Sequence, residues 1–140
     1  MNALTRKLAT VGPALAMAAS SLLLASSPAS AATSCYASSC EGLDPAATVC
    51  QNDARTVYRT GRFGVELRYS PSCRAAWARA DAWSDAPLDV VVENSLGATY
   101  RTHQTGGGST WTRMVNDKDI LARAYGFRED FGEYSYTPWY

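Results

Sequence analysis

Between Gly64 and Ser70 the chain reads GVELRYS, with Val65, Leu67 and Tyr69 alternating against Glu66, Arg68 and Ser70. That period of two predicts a strand with one face on a core and the other toward water, and Pro71 ends it. Val90-Val91-Val92 predicts a second strand, closed by a turn from Asn94 to Gly97. Ala98 to Gln104 predicts a third. Thr110 to Val115 predicts a fourth, setting Trp111, Arg113 and Val115 against Thr110, Thr112 and Met114. Gly106-Gly107-Gly108 lies between these two as a loop tip. Upstream, Thr48 begins a helical turn that gives way at Thr56-Val57-Tyr58 to β-prone residues, and Gly61 to Gly64 reads as a turn. A turn is also expected from Asp85 to Asp89 around Pro87, and a last strand from Glu133 to Tyr140. Asn116 to Asp119 predicts the cap of a short helix running through Tyr125. CRAAWARA, from Cys73 to Ala80, fits two elements. Its alanines and arginines favour a helix, but Cys73, Ala75, Trp77 and Arg79 also alternate with Arg74, Ala76 and Ala78. Short strands about ten residues apart predict a mainly β fold. The expected form is a small, disulfide-stapled antiparallel sandwich or barrel with at most one or two short helices.

The first thirty-one residues change that picture, because they read as an address. Arg6 and Lys7 precede an apolar run from Leu8 to Ala25, and Ala29-Ser30-Ala31 supplies the small residues a signal peptidase reads. A secretory signal peptide at residues 1–31 and one domain at 32–140 are the expected organisation. A permanent anchor is the rival, since the run approaches the length that spans a bilayer. Pro28 and the small residues after it favour cleavage, which leaves no membrane span. A lipid anchor fits poorly, because Cys35 follows Ala32-Thr33-Ser34 rather than a Leu-containing box. Extracellular release is the expected destination.

Composition narrows the function. The 13 acidic and 13 basic residues balance, and removal of Arg6 and Lys7 leaves a slight excess of acid. Nucleic-acid binding needs a basic face and is not expected. All the Phe, Tyr and Trp residues lie beyond residue 31. Cys35, Cys40, Cys50 and Cys73 are even in number and, in an oxidising compartment, predict two disulfides. Three pairings are open. Cys35–Cys50 with Cys40–Cys73 is favoured, because the second bond ties the N-terminal loop to a distant core segment. Zinc is not expected, for want of a C-x2-C pair or a nearby histidine, and no metal or other cofactor is called for.

Three stretches together carry a resemblance: CYASSCEGLDPAATVCQNDART from Cys35, VELRYSPSCRAAWARA from Val65 and RMVNDKDILARAYG from Arg113. With them the chain resembles the YjfA-type family of secreted bacterial proteins, common in actinomycetes. The resemblance implies secretion and disulfides, and no activity. Related chains often carry a further cysteine pair near the positions of Tyr125 and Tyr136. Its absence here implies a C-terminal hairpin with one staple fewer.

Each chemical constellation has a bland rival. Ser70, His103 and Asp89 could form a triad, but there is no G-x-S-x-G elbow. Glu66 with Asp89, or Asp117 with Asp119, could act as paired carboxylates; charges alternating with apolar residues more often mark a wet strand face. Asp44 and Asp53 could hold calcium, or simply organise the Asp-Pro turn and cap a helical turn. The aromatic excess is more informative. Phe127, Phe131, Tyr134, Tyr136, Trp139 and Tyr140 crowd the C-terminus, as platforms for sugar rings or as a core closure. Arg68, Arg74 and Arg79, near Tyr69 and Trp77, could meet anionic wall polymers or shield the core. The expected protein is a monomeric, non-catalytic extracellular module. Its expected ligand is a cell-envelope or environmental glycan, contacted by Arg68, Trp77, Trp111, Trp139 and Tyr140. An inhibitor of a secreted hydrolase is the alternative, with an extracellular protein as partner, and a minimal hydrolase comes last.

Overall fold

The computed structural model describes residues 31–82 and 86–140. Residues 1–30 of the expected signal peptide and the start of the turn around Pro87 lie outside them. Among the described residues nine strands form two antiparallel sheets, the mainly β fold that the sequence predicts. They are β1 (Arg55–Arg59), β2 (Glu66–Ser70), β3 (Ala75–Ala82), β4 (Leu88–Asn94), β5 (Thr99–Gln104), β6 (Gly108–Trp111), β7 (Val115–Asn116), β8 (Ala122–Arg128) and β9 (Glu133–Tyr136). Sheet 1 runs β1-β2-β3-β6, with β7 also on β3; sheet 2 runs β5-β4-β8-β9. The core between the sheets holds Val65, Leu67 and Tyr69 from around β2, Ala76, Ala78 and Ala80 from β3, and Val90 and Val92 from β4.

CRAAWARA is a strand from Ala75 onward. Both its faces are buried, which explains why its pattern was ambiguous. Ala76, Ala78 and Ala80 face the main core, while Ala75 and Trp77 face a second cluster with Cys40, Cys50, Cys73 and Met114. With no wet face, polarity carries no period. The small residues of β3 and β8 let the sheets approach closely. A Cβ built on Gly126 would lie 2.9 Å from Val65 Cγ2 and 3.1 Å from Phe63 Cδ2. Gly126→Ala is therefore expected to lower unfolding stability by about 1–3 kcal/mol through overpacking. An unchanged urea midpoint would show that the core has room there.

The helix expected from Asn116 through Tyr125 does not form. Asn116 Oδ1 accepts from the Lys118 amide at 3.0 Å, an Asx turn in place of a helix cap. Asp119 then takes a left-handed φ of 58°, and the chain enters β8. There Ala122, Ala124 and Gly126 alternate inward and Arg123, Tyr125 and Phe127 outward, so sheet pairing overrides the helix propensity of Ala and Arg. The strand expected from Thr110 to Val115 is broken at residues 112–114, where the Met114 amide and carbonyl turn aside to bond Leu43 and Gly42.

Residues 31–54 make a lobe of three 3-10 turns (Ala37–Cys40, Pro45–Ala47 and Val49–Asn52) laid on the outer face of sheet 1. Two disulfides form, but the favoured pairing is wrong: the bonds are Cys35–Cys40 and Cys50–Cys73, with Cα atoms 5.1 and 5.6 Å apart. The first 3-10 turn folds Cys40 back onto Cys35, and the third lays Cys50 over Cys73 at the entry to β3. The sulfurs are so crowded that Cys35 and Cys50, which are not bonded, stand 3.4 Å apart. Among the described residues no helix is long and apolar enough to cross a membrane.

Candidate functional site

The outer face of sheet 2 gathers most of the C-terminal aromatics. Cross-strand register sets Tyr125 opposite Tyr136 and Phe127 opposite Tyr134. Period two then puts all four rings on one face. Phe127 stacks on Tyr134 at 4.4 Å between centroids, Tyr134 lies parallel to Tyr136 at 5.9 Å, and Tyr136 meets Tyr125 at 4.7 Å. The Arg123 guanidinium, paired with Glu93, lies 4.4 Å from the rings of both Tyr136 and Trp139. These contacts make a continuous aromatic strip, and Tyr134 remains 55% and Tyr136 44% exposed. Tyr125 and Tyr136 are direct cross-strand partners, joined by that ring contact.

Trp139 and Tyr140 are neighbours in sequence but part company in space. Trp139 extends the strip. Tyr140 turns to the edge of the core, its ring 5.1 Å from Tyr69 and 6.1 Å from Tyr58, and its hydroxyl accepts from Arg55. It closes the edge of the sandwich and lines a pocket there with Tyr69, Arg74 and Asp117.

Arg68, Trp77 and Trp111 meet on the opposite side of the molecule, on the outer face of sheet 1. Arg68 pairs across strands with Trp77, and Arg79 with Trp111. Together with Pro45, Ala46, Gln51 and Ala54 of the N-terminal lobe they line a cleft of about 240 Å³. Trp77 is buried as its floor and Trp111 is 40% exposed at its rim.

Neither the triad of Ser70, His103 and Asp89 nor the pair of Glu66 and Asp89 is assembled, while Asp117 and Asp119 line one pocket. His103 Nδ1 is 2.7 Å from Asp89 on sheet 2. Ser70, on sheet 1, is buried and donates to Asp53 at 2.5 Å. Glu66 is buried on sheet 1 between Arg59 and Arg79, apart from Asp89. Asp44 caps the Pro45–Ala47 turn through the Ala46 amide and accepts from the Trp111 indole, at 2.9 Å each. Asp53 accepts from Ser70 and from the Ser72 amide. Desolvation works against its ionisation, but those hydrogen bonds outweigh it and hold the carboxyl below its ordinary range. Asp119 pairs with Arg74 at 3.1 Å. Asp117 is buried, and one carboxyl oxygen has no hydrogen-bond partner.

Sequence reasoning missed Arg123 and Tyr125 as members of the strip. Their outward alternation with Phe127 was hidden by reading the segment as a helix. A family model described as Protein of unknown function (DUF2690) matches residues 38–125. That description carries no activity and does not bear on the YjfA-type name or an actinomycete origin. No curated protein and no solved structure matches the chain.

Proposed function

The chain belongs to the DUF2690 family, and from that premise, which supplies no activity, we propose that it is a secreted, non-catalytic, monomeric module that binds a glycan of the cell envelope or environment. The observation that carries this reading is the aromatic strip Phe127–Tyr134–Tyr136–Trp139 on a regular sheet face. Sugar rings present flat faces of C–H groups, and exposed aromatics of this kind offer them large contact area at little entropic cost. Successive rings spaced along a strip suit successive units of a polymer. Two disulfides are compatible with an oxidising destination. We extend the YjfA-type likeness to secretion and bacterial origin as part of the same proposal.

Co-sedimentation with purified cell wall and insoluble polysaccharides tests it. The double variant Tyr134→Ala, Tyr136→Ala is expected to bind about tenfold more weakly or worse. Its melting temperature should fall by a few degrees, because both rings also pack across strands on Phe127, Tyr125 and Arg123, and binding is compared well below that melt. Full binding by the double variant would refute the strip as the binding surface. Retention of a secreted hydrolase but of no polysaccharide would replace this reading with the inhibitor.

A further inference from the structure

The cleft on sheet 1 is separate from the strip and carries its own chemistry. Its two arginines differ in one respect. Arg79 is neutralised by Glu66 at 3.2 Å and Asp81 at 2.8 Å. Arg68 donates instead to two uncharged acceptors, Thr56 Oγ1 at 2.9 Å and the Ala54 carbonyl at 3.2 Å. Among the described residues no carboxylate comes within ion-pair reach of it, and its Nε is buried without a partner. Neutral acceptors fix the orientation of a guanidinium and leave its charge unanswered. In a cleft floored by Trp77 and walled by Pro45, that charge is screened less than one in open water.

The rest of the lining suits a ring with hydroxyls. The Trp111 indole is held by Asp44 at the rim. The Gln51 side-chain nitrogen donates to the Ala46 carbonyl at 2.9 Å, which leaves its oxygen as an acceptor. We infer that the cleft binds an acidic sugar residue of the uronic-acid class. Its carboxylate pairs with Arg68, its ring packs on Trp111, and a hydroxyl donates to Gln51. A guanidinium fork matches a planar carboxylate in both geometry and charge. The inference does not rest on the aromatic strip, and the test keeps the two apart.

Isothermal titration with a galacturonic acid trimer, its methyl ester and a neutral trimer is the experiment. The acid is expected to bind the native chain. Esterification, Arg68→Gln or Trp111→Ala should each weaken it about tenfold or more. Arg68→Lys keeps the stem and the charge but not the fork, and should fall between. Thermal melts of each variant separate lost binding from lost fold. The Tyr134→Ala, Tyr136→Ala pair should bind the trimer as the native chain does. Equal binding of acid and ester, or full binding by a folded Arg68→Gln, overturns the inference. So does loss confined to the strip variant. Binding through Arg68 of a peptide with a C-terminal aromatic residue, with no binding of the acid trimer, also overturns it.

Discussion

Replacing Cys50 and Cys73 together by alanine is expected to lower unfolding stability by about 3 kcal/mol, against about 2 kcal/mol for the Cys35, Cys40 pair. The difference follows from loop length. The first bond joins residues 23 apart in sequence and the second residues 5 apart, so the longer bond removes more freedom from the unfolded chain. Packing adds to the contrast. Cys50 and Cys73 are fully buried beside Trp77 and Met114, whereas Cys35 is only partly covered. Denaturant unfolding of the two double variants measures both costs. A larger loss from the Cys35, Cys40 pair would contradict the pairing, and non-reducing peptide mapping would show it directly.

Asp117→Asn is expected to stabilise the fold at about pH 8 and to do little at about pH 3. Burial pushes the Asp117 carboxyl up from 3.8 to about 7, against the pull of the nearby Arg74 charge. Below the unfolded value both states hold the proton, so nothing is lost. Between about 4 and 7 the unfolded chain has released its proton while the fold retains it. Stability then falls as pH rises, and the penalty is complete above 7. A carboxyl moved that far costs at most about 4 kcal/mol, and the opening of its pocket toward Tyr69, Asp119 and Tyr140 reduces this. Asparagine keeps the shape and removes the charge. Urea midpoints across that range should therefore be flatter in the variant than in the native chain. Asp53 acts with the opposite sign: its lowered pKa contributes stability above the ordinary carboxylate range that is lost on acidification. Parallel pH profiles for the two proteins would show that Asp117 ionises normally.

Much of the fold was legible because one buried face per strand leaves a period of two. Val65, Leu67 and Tyr69 of the β2 region announce it; Val90 to Val92 of β4 are legible instead as a run of β-branched residues, all buried. The period failed where a strand lost its wet face, in β3, and where small residues faced inward, in β8. Ala122, Ala124 and Gly126 look like helix formers and a stop, and only their pairing with β4 shows otherwise. The disulfide pairing was not legible from spacing, because all four sulfurs lie within 4.8 Å of one another. Arg68, Trp77 and Trp111 were recognisable as residue types suited to a ligand. Their meeting depends on the registers of β2 with β3 and of β3 with β6, which the local sequence does not encode. Trp139 and Tyr140 separate because adjacent residues of an extended chain point to opposite sides.

The order of strands also sets the course of folding. The chain leaves sheet 1 after β3, returns to it at β6 after making β4 and β5, and leaves again for β8. The hairpins β1–β2, β4–β5 and β8–β9 close locally and quickly, within microseconds. The pairings β3–β6 and β4–β8 join distant segments, so the complete sandwich forms on the millisecond-to-second scale of non-local β topologies. Until the last hairpin docks, β4 is an open edge made of Leu88, Val90, Val91 and Val92, a template on which another chain can pair. Crowding during synthesis or refolding therefore acts on this protein through β4, and conditions that slow the arrival of β8 should favour aggregation over the native sheet.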